Sequence, residues 1–288
     1  MATARQWVSG ARPRTLPAAF TPVAVGTGAA FPNPRFATAG LALLVAFALQ
    51  IGVNYANDYS DGIKGTDDDR VGPFRLVGSK YAAPRSVLFA AVLCFAISAV
   101  AGLVLAIMIS WWLVPVGMAA IAAAWGYTGG SKPYGYRALG ELSVFIFFGV
   151  VAVVGTYYVQ RQSLDWWVLL ASLPIGLLAC ALLTINNLRD IPSDRLAGKR
   201  TLAVVLDERR TRSLYYALIA GAYFSTLVLS AWRAGAAMAL LTTALLVDPL
   251  RKVRLGAVGK QLIPVLASTA RIQLIFGLLL AMGLAVTS

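Results

Sequence analysis

A chain of 288 residues, 59% of them hydrophobic and only 13% charged, is not an ordinary soluble domain, where roughly a quarter of the residues carry charge. Its net charge of +13 has the size of a nucleic-acid binder's, but the cations are confined to particular loops between apolar stretches. That placement excludes nucleic acid as the partner and reads as membrane topology plus attraction to anionic headgroups. Histidine is absent from the whole chain, which excludes imidazole general-base chemistry.

Apolar stretches fall near 15–31, 37–57, 85–107, 110–127, 139–159, 166–187, 213–231, 234–250 and 268–287, most of them long enough to cross about 30 Å of hydrocarbon. The expectation is an all-α membrane protein of about nine transmembrane helices, one domain over 1–288. The N-terminal residues carry Arg5, Arg12 and Arg14 but no short apolar core with a small-residue cleavage site, so the spans themselves are expected to direct insertion. The N-terminus and the connections after the even-numbered stretches hold every Lys and Arg except Arg35, Arg161 and Arg233. The positive-inside rule then places those segments in the cytoplasm of a multi-pass protein of the cell membrane.

In the first stretch Pro22 is expected to kink the helix. The second runs into NYANDYSDGIKGTDDDRVGPFRL, Asn54 to Leu76, where Asp58, Asp61, Asp67, Asp68 and Asp69 make five of the chain's twelve acidic residues. Asn54, Asn57, Asp58 and Asp61 fall at i, i+3, i+4 and i+7, so a continuing helix gives them one face, with Gln50 a turn deeper. Carboxylates at a helix end already negative from unpaired carbonyls are unfavourable unless a cation joins them. Oxygen ligands at this density, with no histidine and no nearby cysteine, suit Mg²⁺ or Mn²⁺ better than zinc.

The third and fourth stretches read as scaffold joined near Ser110. Cys94 and Cys180 lie inside apolar spans and read as small buried hydrophobes. WGYTGGSKPYGYRALGE follows, with Lys132 and Arg137; its Tyr127, Tyr134 and Tyr136 either belong to an interfacial belt or line the mouth of a pocket. Glu141 is expected to complement the dipole at the start of the fifth helix. The sixth stretch delivers NNLRDIPSDRLAGKRT, in which Asn186, Asn187, Asp190 and Asp194 are again helically spaced, unless Pro192 breaks the helix before Asp194. The last three stretches hold Asp248 as their one carboxylate and read as packing. Polar clusters after the second and sixth helices suggest a duplicated four-helix unit with its two active ends face to face.

Two such clusters in one leaflet, ringed by Lys and Arg, would hold a metal-bridged polyanion. Divalent ions cancel the carboxylate repulsion and reach diphosphate oxygens, while basic residues take the remaining charge. Lys64, Arg70, Lys132 and Lys199 are the expected holders of diphosphate or of an acceptor's carboxylate. Inside a lipid-embedded bundle the diphosphate is most economically that of a lipid, whose ionising allylic bond needs a dry site with aromatic faces.

NDYSDGIKGTDDDRVGPFRLV and NNLRDIPSDRLAGKRTLAV resemble the two aspartate motifs of the UbiA superfamily of intramembrane prenyltransferases. GARPRTLP, YTGG, YRALGE, FIFFG and GTYYVQ are similar to its 1,4-dihydroxy-2-naphthoate polyprenyltransferase branch, over residues 10 to about 206. The resemblance implies nine helices around a central cavity, Mg²⁺ dependence, a polyprenyl diphosphate donor and a 1,4-dihydroxy-2-naphthoate acceptor that loses CO₂. It implies Asn57, Asp61, Asp190 and Asp194 as metal and diphosphate ligands, with Asn186 and Arg189 at flanking family positions; Asn54 and Asp58, on the polar face shared with Asp61, are expected to lie beside the substrate. Asp67 stands for the last acid of the first motif, two residues later than in the hydroxybenzoate branch, where this chain has Gly65. Other acceptors, such as hydroxybenzoate or homogentisate, are the nearest rivals. CDP-alcohol phosphotransfer matches only the opening DYSDG, and a cation-coupled transporter would place its carboxylates near the midplane.

Overall fold

The computed structural model describes residues 2–63, 74–130 and 133–287, and among them the chain is helical, without a strand beyond one isolated bridge between Arg137 and Arg200. Each of the nine apolar stretches is helical. Seven runs are long and apolar enough to cross a membrane, as a multi-pass protein requires: Phe36–Ile63, Pro84–Met108, Gly140–Arg161, Trp166–Leu196, Leu202–Ser230, Ala234–Arg254 and Gly259–Val286.

The chain opens with α1 (Ala4–Gly10), started by a capping box in which Thr3 and Gln6 satisfy each other's backbone amides. A 3₁₀ turn over Pro13–Thr15 leads into α2 (Leu16–Ala29). At 14 residues and 1.5 Å per residue, α2 covers only about 21 Å, and so does α5 (Leu113–Gly126), which has the same length. Helix α2 nevertheless holds the centre, packed against α3 (Phe36–Ile63), α7 (Ala152–Arg161), α8 (Trp166–Leu196) and α11 (Leu262–Val286). Its Ala, Gly and Thr side chains allow that crowding, since small residues let helices approach closely where lipid offers no hydrophobic drive. Pro22 stays within α2 and is fully buried.

Between them run α4 (Pro84–Met108) and, after α5, α6 (Gly140–Val144), which continues through a π-helical segment, Phe145–Val151, into α7. Widened turns of this kind bring backbone out of the regular ladder and recur at functional sites. The main core, including Ile175, Leu178, Ile185, Tyr215 and Phe276, gathers α8, α9 (Leu202–Ser230) and α11. A second cluster around Tyr55, Leu76 and Phe95 joins α3, α4 and the segment before α4. A 3₁₀ run, Ala234–Leu246, and α10 (Val247–Arg254) complete the chain before α11.

Candidate active site

Helix α3 continues through the first polar cluster to Ile63, so Gln50, Asn54, Asn57, Asp58 and Asp61 do share one helix. Helix α8 likewise runs unbroken to Leu196 with Pro192 inside it. The alternative of a break before Asp194 is therefore excluded, and Asn186, Asp190 and Asp194 stay one turn apart on one helix.

The two clusters meet. Lys199, just beyond α8, donates from Nζ to Asp61 Oδ1 at 2.8 Å, across 138 residues of chain. Tyr136 donates its hydroxyl to the same oxygen at 2.6 Å, and Arg75 Nη2 reaches Asp61 Oδ2 at 3.2 Å. The side chains of Asp61, Arg75 and Lys199 are all 7% exposed or less. At such depth, separating the ions would leave uncompensated charge at a cost of several kcal/mol, so Asp61 is a fixed junction between three loops. Lys199 also lies 4.8 Å from the centre of the Tyr136 ring, a cation–π contact that holds the ammonium beside the carboxylate.

Local backbone features bring these groups together. Gly198, at φ +67°, takes the left-handed conformation after the end of α8. Glycine adopts it without steric penalty, and the chain turns back so that Lys199 N–H bonds the Asp194 carbonyl at 2.8 Å. Arg200 N–H then donates to the Tyr136 carbonyl and Ala138 N–H to the Arg200 carbonyl, which ties the loop after α5 to the loop after α8. Gly62 lets the segment before α4 cross α3: a Cβ there would meet Val77 Cβ at 2.6 Å. Asp58 fastens the same segment by accepting Leu76 N–H at 2.6 Å and Val77 N–H at 3.1 Å, and this sets Arg75 over Asp61.

The second cluster is held more locally. Arg189 makes a two-point contact with Asp190, Nε to Oδ1 at 2.7 Å and Nη2 to Oδ2 at 2.8 Å, and its Nη2 also donates to Asn186 Oδ1 at 2.9 Å. Asp194 accepts from the Thr201 hydroxyl at 3.4 Å. Asn57 accepts from the Thr128 hydroxyl. Asn54 is turned to the N-terminal segment, donating to the Ala11 carbonyl at 2.9 Å and to Thr15 Oγ1 at 3.0 Å. Asn54 and Asp58, placed beside the substrate by the sequence reading, thus spend their polar groups on internal bracing. Lys64, Asp67, Arg70 and Lys132, together with Asp68 and Asp69, lie outside the described residues.

Sequence reasoning gave no site role to Arg75 or Thr128 and left Tyr136 between an interfacial belt and the mouth of a pocket. Tyr136 stood among three loop tyrosines, and nothing local distinguished it as Asp61's donor. Burial first, then the charge of Asp61 and the hydrogen bond to it, raise the Tyr136 phenol above its usual range, so it stays a proton donor. Tyr127 is raised as well, by burial and then by the charges of Glu141, Tyr134, Asp194 and Asp61.

The donors from both helix ends are all oxygens. Among the described residues no three acidic, histidine or cysteine side chains stand close enough to hold a metal ion unaided. That set fits a hard cation held by one or two carboxylates and completed by a ligand's own oxygens, which is the usual habit of Mg²⁺ with phosphates. The cations between the carboxylates, Lys199, Arg75 and Arg189, fit the remaining charge of the same anion.

The sequence profile of the UbiA prenyltransferase family matches residues 16–258. The chain is 54% identical, over 99% of its length and 98% of the other's, to the 1,4-dihydroxy-2-naphthoate octaprenyltransferase of Mycobacterium tuberculosis. It is 37% identical to the enzyme of the same name from Escherichia coli, over 96% of this chain and 94% of that one. Among solved structures, a UbiA homolog from Archaeoglobus fulgidus bound to GPP and Mg²⁺ superimposes with a TM-score of 0.75 at 17% identity, covering 98% of this chain and 99% of that one.

Proposed function

Because this chain belongs to the UbiA prenyltransferase family, we propose that it transfers a polyprenyl chain from polyprenyl diphosphate to 1,4-dihydroxy-2-naphthoate, with loss of CO₂, giving the quinol form of demethylmenaquinone. The observation that carries this reading is the 54% identity, end to end, with the Mycobacterium tuberculosis octaprenyltransferase. The junction at Asp61 supports it by joining the ends of two helices into one anion-binding centre.

In this reading Asp61, Asp190 and Asp194, with the amide oxygens of Asn57 and Asn186, would hold Mg²⁺ or Mn²⁺, which when bound would make the diphosphate a better leaving group. Lys199, Arg75 and Arg189 turn from their carboxylates to the diphosphate oxygens, where Lys64, Arg70 and Lys132 would add positive charge, while Asp67 would serve with the other carboxylates. Tyr136 and Tyr127 supply aromatic faces and no basic atom, as an allylic cation requires. Asn54 and Asp58 keep the floor of the site rigid. The prenyl tail lies in a central chamber among nine helices, and the centre opens to the cytoplasm of the cell membrane, on the side of the N-terminus.

The test is a membrane assay offering 1,4-dihydroxy-2-naphthoate and hydroxybenzoate in competition, with products weighed by mass spectrometry. The expected result is the decarboxylated naphthoate product alone, abolished by EDTA and restored by Mg²⁺. Prenylated hydroxybenzoate as the main product would overturn the acceptor assignment, and turnover insensitive to EDTA would overturn the metal.

A further inference from the structure

Glu141 was read from the sequence as a charge placed on a helix start. The structure keeps it in the first turn of α6 and shows a further use. It is 92% buried, its Oε1 accepts Asn187 Nδ2 from α8 at 3.0 Å, and its Oε2 is buried with no partner among the described residues. Its backbone carbonyl accepts the Cys180 thiol, also from α8, at 3.1 Å. Cys180 and Asn187 are seven residues apart, two helical turns, and Thr184 stands between them on the same face.

Thr184 is equally unusual. Threonines elsewhere in the bundle return their hydroxyl to the carbonyl four residues back, as Thr226 does to Ala222 and Thr269 to Val265. Thr184 Oγ1 does not, and it too is buried without a partner among the described residues. Orphaned buried polar atoms are rare because each forfeits a hydrogen bond it had in water. Two of them on facing helices, Thr184 one turn before Asn187 and Glu141 bonded to that same Asn187, mark a place where a ligand supplies the missing partner. The Tyr127 hydroxyl lies beside the neighbouring residue, 3.2 Å from where a Cβ on Gly140 would lie.

We propose that Glu141 and Thr184 form the subsite for the aromatic acceptor's hydroxyl group, with Glu141 Oε2 as the proton acceptor of the transfer. This rests on the prenyl-transfer reading above. As the ring carbon forms the new C–C bond, the prenyl C–O bond breaks with its electron pair leaving on the diphosphate, and the hydroxyl proton passes to Glu141. When the ring's bond to the carboxylate breaks, CO₂ leaves, its electron pair restores the aromatic ring, and Glu141 returns the proton to the same oxygen. No oxidant or outside proton is needed. Thr184 positions the hydroxyl oxygen, and Asn187 holds the carboxylate in place.

Glu141→Gln and Glu141→Ala separate this role from that of a brace, because glutamine keeps an oxygen for Asn187 and loses only the basicity. Both variants are expected to lose kcat by about 100-fold or more, the usual worth of a positioned base, while the Kd of a non-hydrolysable prenyl diphosphate stays within twofold of wild type. Thr184→Val is expected to raise the acceptor's KM about tenfold, as loss of one hydrogen bond does, with the donor's KM unchanged. If Glu141→Gln turns over within threefold of wild type while Glu141→Ala fails, or if either variant weakens donor binding as much as kcat, Glu141 is a structural brace and the proposal is overturned. Wild-type protein that prenylates no dihydroxynaphthoate would instead overturn the underlying functional reading.

Discussion

Asp61 and Asp190 end the same kind of polar stripe on two long helices, yet the protein neutralises them by different means. Asp190 is held by its own neighbour in sequence, Arg189, which also binds Asn186 one turn back. Asp61 is held by groups 14, 75 and 138 residues away, Arg75, Tyr136 and Lys199. Among the described contacts, the Asp190 pair is therefore one that α8 makes within itself, while the Asp61 junction needs three loops closed around it. In the proposed transfer, the role of Asp61 is thus bound up with the folding of that end of the bundle, whereas that of Asp190 draws on contacts within α8.

The largest test of this contrast is a pair of substitutions. Asp61→Asn and Asp190→Asn are both expected to insert into the membrane and to lose prenylated product by about 10³-fold, the upper range for deleting one electrostatic contact in an active centre. They should part on stability. Asp61→Asn removes the negative charge that Arg75 and Lys199 share, at about 3–5 kcal/mol, whereas Asp190→Asn leaves Arg189 still bound to Asn186. Thermal unfolding in detergent should show a clearly larger drop for Asp61→Asn, and equal drops would break the distinction. Near-normal turnover in either variant would remove that residue from the site.

Lys199→Met sharpens the comparison at smaller scale. Asp61 keeps Arg75 and Tyr136, so the protein should stay folded, while activity falls about 100-fold and the donor's KM rises, as expected when a charged contact to diphosphate is lost. A kcat loss with unchanged donor affinity would place Lys199 in the scaffold only. Tyr136→Phe deletes one charge-assisted hydrogen bond to Asp61 and keeps the ring beneath Lys199, so a loss of about tenfold is expected, measured as kcat/KM for the donor. Gly198→Ala is the mildest change: a left-handed alanine costs about 1 kcal/mol, so Lys199 should be slightly displaced and the melting temperature lowered by a few degrees. No change in either would mean that the turn after α8 does not set the Lys199 position.

Much of this architecture was legible in the sequence. The nine apolar stretches each became helices, and the spacings of Asn57 and Asp61 and of Asn186, Asp190 and Asp194 placed each set on a helix. Those readings succeeded because helical periodicity is a local property and because a carboxylate inside an apolar run stands out against its neighbours. The uses of Asn54 and Asp58 were not legible: both share the stripe with Asp61 yet turn to the N-terminal segment and to the amides before α4. Glu141 was legible only in part. It stands in the first turn of α6, as its place at a helix start suggested, but its partner Asn187 lies 46 residues on, and no pattern within either segment points to the other.

Composition and periodicity by themselves determined that this chain is a bundle of apolar helices, which residues interrupt the apolar surface, and which pairs of them share a face. Each of those follows from the 3.6-residue turn and the exclusion of charge from lipid. Tertiary structure alone decided that Lys199, Arg75 and Tyr136 converge on Asp61 while Asp190 keeps to its neighbour, and that Glu141 meets Asn187. The reason is that pairing across such separations is settled by where loops close and by what burial leaves unsatisfied, and a short window of sequence encodes neither.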